Sequence, residues 1–130
     1  MIFPQGDKLP HDNFTGDAWL HMLVADKELY NCAIGNVTFA PGARNNWHKH
    51  SGGQLLLVTS GTGYYQEKGK PARVIRAGDV VTIPADVEHW HGATAQTAMT
   101  HLAISTNLDK NANTWLAPVS DEEYAKLSVK

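Results

Sequence analysis

Short apolar runs, each cut off within a few residues by glycine, proline or aspartate, constrain this chain more than any other feature. Ala18–Val24, Asn31–Ala40, Gln54–Thr59, Tyr64–Gln66, Arg73–Arg76, Val80–Ile83 and Thr97–Ile104 each read as a strand. The punctuation between them is Pro41-Gly42, Ser60-Gly61, Gly69 with Pro71, Gly78-Asp79 and Pro84-Ala85-Asp86. No helical stretches alternate with these strands, so the pattern predicts an all-β sandwich or barrel and excludes a βα architecture. In Ala18–Val24, Trp19, His21 and Leu23 share one side of the strand, and Leu20, Met22 and Val24 share the other. One helix is expected, near the end, where Ser120 and Glu123 form a capping box ahead of Tyr124–Leu127. Pro4, Gly6 and Pro10 predict an irregular first ten residues.

At 130 residues the chain is expected to form one domain, 1–130, with a core that needs no staple. A net charge of −2 and the lack of any lysine or arginine block argue against a nucleic-acid partner. Cys32 is the only cysteine, which rules out an intrachain disulfide and predicts a small buried apolar residue. No run is long enough to span a membrane, and Met1–Pro10 lacks a basic segment followed by an apolar one, so the expected location is cytoplasmic.

Five of the seven histidines form a pattern. His48 and His50 lie two residues apart on an extended segment and present two imidazoles to one face. Gln54 adds a carbonyl oxygen four residues later, and His89-Trp90-His91 repeats the geometry. Zinc, manganese, iron and copper all accept imidazole, and a site needs three or four converging donors. His48, His50, Gln54 and His89 are the candidate ligands. His91 points to the same face as His89, and His101 has apolar neighbours at Met99 and Ala103, so both are candidate proton carriers beside a bound substrate. Their other reading is as core histidines satisfied by hydrogen bonds. His11 and His21 have no such context and are expected to be structural or exposed. Three imidazoles and an amide would leave a divalent metal's charge uncompensated, which favours Lewis-acid chemistry.

The spacing resembles that of the cupins. Gly42, His48, His50, Gln54 and Gly61 fit the first cupin motif, with Gln54 in place of its glutamate. Gly78, Pro84 and His89 fit the second, where Asp86 stands for a glycine and Ala93 for an asparagine. The resemblance covers residues 35–105. It implies a double-stranded β-helix, or jelly-roll barrel, with a metal in its mouth held by His48, His50, Gln54 and His89.

The stretches Pro-Gly-Ala-Arg-Asn-Asn-Trp-His-Lys-His, His-Trp-His-Gly-Ala and Ala-Met-Thr-His-Leu-Ala-Ile are similar to a subgroup of small bacterial cupins. That subgroup includes manganese-dependent hydroxynitrile lyases and carboxymuconolactone-decarboxylase-like proteins. The resemblance implies manganese, with iron, zinc or nickel as alternatives, and assigns catalysis to His91 and His101. It implies reversible cleavage of a cyanohydrin to aldehyde and cyanide, with His91 or His101 protonating the departing cyanide. It places Asn45 and Val37 on pocket-facing stretches, where residue identity sets substrate choice. The competing readings are an iron cupin dioxygenase, a decarboxylase or isomerase, and a non-catalytic cupin that binds a small ligand. A small-molecule substrate is the expected partner, and homodimerisation is expected through the Trp19 strand.

Overall fold

A computed structural model describes residues 2–129; Met1 and Lys130, the two ends of the span expected as one domain, lie outside the described residues. Among the described residues, twelve antiparallel strands form one curled sheet. In chain order they are β1 (Asp7–Lys8), β2 (Phe14–Thr15), β3 (Ala18–Asp26), β4 (Cys32–Phe39), β5 (Arg44–Asn45) and β6 (His48–His50). Then follow β7 (Gln54–Glu67), β8 (Arg73–Arg76), β9 (Val80–Ile83), β10 (His89–Ala93), β11 (Met99–Thr106) and β12 (Asn113–Trp115). A single 3-10 turn, Leu108–Lys110, joins the last two strands, and α1 (Asp121–Ala125) closes the chain. Among the described residues no helix is long and apolar enough to cross a membrane.

The hydrogen-bonded path runs β1-β3-β4-β11-β7-β10-β5-β2, with β8 and β9 on β7, β6 on β10 and β12 on β6. This path has two ends, at β1 and β2, so the sheet is curled and open.

β7 makes the curl. Its first half pairs with β11 and β9, and its second half pairs with β8 and β10. The expected turn at Ser60-Gly61 is a bulge within one 14-residue strand. The register passes from Thr100↔Ser60 to His101↔Val58, which leaves Thr59 without a cross-strand partner. An extra residue bends a strand and increases its twist. Gly61 accepts this bend at φ 78°, where any Cβ would collide with the Ala98 carbonyl. Tyr64–Gln66, expected as a separate strand, is therefore a continuation of the same one.

Two further expectations change. Asp7 and Lys8 pair with Leu20 and Trp19, so the first ten residues are not wholly irregular despite Pro4, Gly6 and Pro10. Cys32 opens β4 and is half-buried, because it sits at the strand's end, away from the core.

The core contains Phe39, Leu56, Ile75, Val81 and Met99, contributed by strands from both halves of the curl. Trp90, Tyr64, Val119 and Tyr124 form a second cluster beneath α1. The helix starts where the capping signal predicts: Ser120 Oγ accepts from the Glu123 N–H at 3.1 Å. It ends earlier than the pattern suggests, at Ala125. Tyr124 anchors it by donating to the Ala93 carbonyl at 2.5 Å. The Arg44 guanidinium lies 4.3 Å above the Tyr124 ring and donates to Val119 O and to Asp121.

Candidate metal centre

β6 and β10 lie side by side, and the register sets His48 directly opposite His89. Alternation along β6 then places His50 on the same face as His48. The three side chains each offer a nitrogen, and these nitrogens lie within 4.8 Å of one another. Ring centroids are 4.2 Å apart for His48 and His89, 5.0 Å for His48 and His50, and 5.4 Å for His50 and His89. All three are buried.

The Nδ1 of each imidazole faces an oxygen acceptor. His48 Nδ1 donates to Asn46 O at 2.7 Å, His89 Nδ1 to Val87 O at 2.8 Å and His50 Nδ1 to Asn113 Oδ1 at 2.6 Å. An N–H on Nδ1 puts the lone pair on Nε2. The Nε2 atoms of His50 and His89 are buried with no protein partner, and so is Gln54 Oε1. Buried acceptors are rarely left unpaired without a reason. Here two of them belong to the three-histidine cluster and the third lines the cavity beside it, an arrangement that fits a divalent cation.

Burial also keeps these groups neutral, as ligation requires. It pushes His48 down to about 2, with the neighbouring His89 adding to the effect. It pushes His89 down to about 4 against the opposing bond to Val87. His50 moves the same way for the same reason, opposed by its bond to Asn113.

A second histidine pair lies beside the triad. His91 follows His89 on β10, and its ring stacks on the His89 ring at 5.8 Å and 14°. His101 reaches it from β11, with Nε2 3.0 Å from His91 Nδ1. Phe39 borders both rings. Burial holds His91 well below its usual value, with His101 next in effect, and pushes His101 down to about 4. Asn45 on β5 takes the His91 backbone N–H on Oδ1 at 2.9 Å and turns its Nδ2 towards the His91 ring, 3.2 Å from Nε2.

A cavity of about 470 Å³ opens onto both groups. Its floor carries His48, His50, Gln54, His91 and His101. Its walls are mainly apolar, with Phe14, Leu20, Met22, Val37, Ala103 and Trp115 prominent. Five of the six residues singled out in the sequence line this cavity, as do Asn45 and Val37, while His89 does not line it and stands against His48. His11 is an exposed partner of Asp17, and His21 lies outside the cavity on β3.

Sequence reasoning missed β12. Asn113 pairs with His50 across β6, and Trp115 pairs with His48, its ring 4.7 Å from the His48 ring. Only the alternation of Asn113 and Trp115 could have hinted that both face one way.

Residues 35–105 match the protein family described as the cupin domain, more than half of the chain. The chain belongs to the cupin family. This cupin is 44% identical over 119 residues to an (R)-mandelonitrile lyase from Granulicella tundricola, a match that covers 92% of this chain and 91% of the relative. The crystal structure of a cupin-like protein from Thermotoga maritima superposes with a TM-score of 0.93 at 48% identity, covering 97% of this chain and 96% of that one. A second Thermotoga maritima protein, described as a predicted oxalate decarboxylase, has a TM-score of 0.70 at 20% identity, covers 80% of this chain and 96% of its own, and shares the fold alone.

Proposed function

We propose that this cupin is a metal-dependent lyase of the hydroxynitrile type, cleaving a cyanohydrin reversibly to an aldehyde and hydrogen cyanide. The observation that carries the reading is the His91–His101 pair, hydrogen-bonded at 3.0 Å beside a three-histidine cluster of which His48 and His50 line a mainly apolar cavity. The similarity to the (R)-mandelonitrile lyase supports it. We read the curled sheet as the double-stranded β-helix of the family.

His48, His50 and His89 would hold a divalent metal, manganese in this reading, with Gln54 Oε1 as a fourth donor. When bound, the metal supplies Lewis acidity that favours an alkoxide over a hydroxyl. The surrounding residues do the rest. The apolar walls receive the organic side of the cyanohydrin and exclude water. His91 or His101, held neutral by burial, accepts the hydroxyl proton on a ring nitrogen. The bond between the carbinol carbon and the nitrile carbon breaks with its electron pair on cyanide. The histidine pair then returns the proton to cyanide, which leaves as hydrogen cyanide. Two linked imidazoles can pass that proton between them, so the acid and the base need not be the same ring.

The test is metal analysis of the purified protein, followed by a mandelonitrile cleavage assay with each divalent metal restored in turn. Turnover that depends on the metal supports the reading. Stoichiometric metal without turnover refutes the lyase assignment.

A further inference from the structure

The chain between His50 and Gln54 is a two-glycine bend, and one segment, residues 106–113, clasps it. Thr106 Oγ1 and Asn107 Nδ2 both donate to Gly52 O, at 2.8 and 3.1 Å. Asn111 Nδ2 donates to Gly53 O at 3.0 Å. Ser51 Oγ donates to Lys110 O at 2.8 Å and accepts from the Ala112 N–H at 2.8 Å. The segment lies so close that a Cβ on Gly52 would meet Asn111 Cβ at 2.7 Å. It ends at Asn113, opposite His50 in the β6–β12 register.

The three anchored imidazoles are not held alike. His48 and His89 donate to backbone carbonyls two residues earlier in the chain, just before their strands, so no side chain takes part. His50 alone of the three is oriented by a side chain, and that side chain comes from 63 residues away. All three acceptors are neutral amide oxygens.

We propose that Asn113 is a positioning residue that aims His50 at a divalent cation through a neutral acceptor. The inference rests on the reading of the three histidines as a metal site. The Asn113 carbonyl accepts the Nδ1 proton and so directs the Nε2 lone pair towards His48 and His89. Partners of this kind orient metal ligands and tune their basicity. An aspartate at this position would still accept the proton, but it would add negative charge and make His50 a stronger donor.

The experiment is calorimetric titration of manganese(II) into the metal-free full chain, as wild type, Asn113→Ala and Asn113→Asp, with thermal melts of each. Asn113→Ala is expected to bind manganese about 10- to 100-fold more weakly, with a metal-free melt that stays cooperative but falls somewhat below wild type, because the buried His50 N–H loses its acceptor. Asn113→Asp is expected to bind at least as tightly as wild type, and its mandelonitrile turnover at saturating manganese is expected to fall. Affinities within about twofold of wild type in both variants would overturn the proposal, as would an Asn113→Asp variant as weak as Asn113→Ala. A wild-type chain that binds no divalent metal would overturn both this proposal and the metal-site reading beneath it. The expected affinity order, found in a wild type with no mandelonitrile turnover, would support Asn113's role and refute the lyase reading separately.

Discussion

Moving the metal-free protein from about pH 7.5 to about pH 5.5 should remove a large part of its folding stability. In the folded chain His48 is held down to about 2, and His89 and His101 to about 4, in each case chiefly by burial. Unfolding frees all three to their ordinary value of 6.5. Below 6.5 the unfolded chain therefore binds protons that the folded chain refuses. Stability is complete above that value and is lost as the pH falls. At about one unit below 6.5 each such histidine costs somewhat over about 1 kcal/mol. His48, His89 and His101 together then cost about 4 kcal/mol, set against a total of about 5–15 kcal/mol for an ordinary domain. His50 and His91 shift in the same direction and add to the loss. Urea titrations followed by tryptophan fluorescence at several pH values measure this directly. With a urea slope of about 2 kcal/mol per molar, the midpoint should fall by about 2 M. Saturating manganese should offset part of the loss, since a ligand at about 100 times its Kd contributes about 2.7 kcal/mol. A midpoint that stays constant over this range in metal-free protein would refute the picture of a buried, neutral histidine cluster.

Other substitutions separate the parts of the site and the fold. His48→Ala and His89→Ala should each abolish stoichiometric metal, measured by elemental analysis; full occupancy in His48→Ala would sink the ligand assignment. His91→Ala should retain the metal and lose about 10²- to 10⁴-fold in cyanohydrin turnover, and undiminished turnover would remove His91 from proton transfer. Leu56→Ala empties a fully buried position and should cost about 2–5 kcal/mol in urea denaturation. Gly61→Ala should cost more than about 1 kcal/mol, because the left-handed backbone and the Ala98 carbonyl both oppose a side chain there; an unchanged midpoint would argue against the bulge.

Much of the site was legible in the sequence because a strand has a two-residue period. His48 with His50, and His89 with His91, had to share faces once their segments were extended. The apolar surroundings of His101 followed from Met99 and Ala103 by the same rule. The bend in β7 was not legible, since Ser60-Gly61 is as good a turn signal as a bulge signal. What decides is whether neighbouring strands continue the pairing, and β11 does so across the irregularity. Asn113 was also hidden. A lone asparagine in a polar stretch carries no sign that its carbonyl will meet an imidazole 63 residues away.

The all-β pattern, the faces the histidines share and the set of donors available to a metal can be read locally, because they depend on periodicity along each strand and on residue chemistry. That His48 stands opposite His89, that His101 meets His91 and that β12 lies alongside β6 depends on the assembled fold. Those are contacts between segments distant in the chain, set by register and by the bend at Gly61. Burial, and with it the neutrality of all five clustered imidazoles, follows from the same packing, since desolvation belongs to the assembled cavity and to no single stretch of sequence.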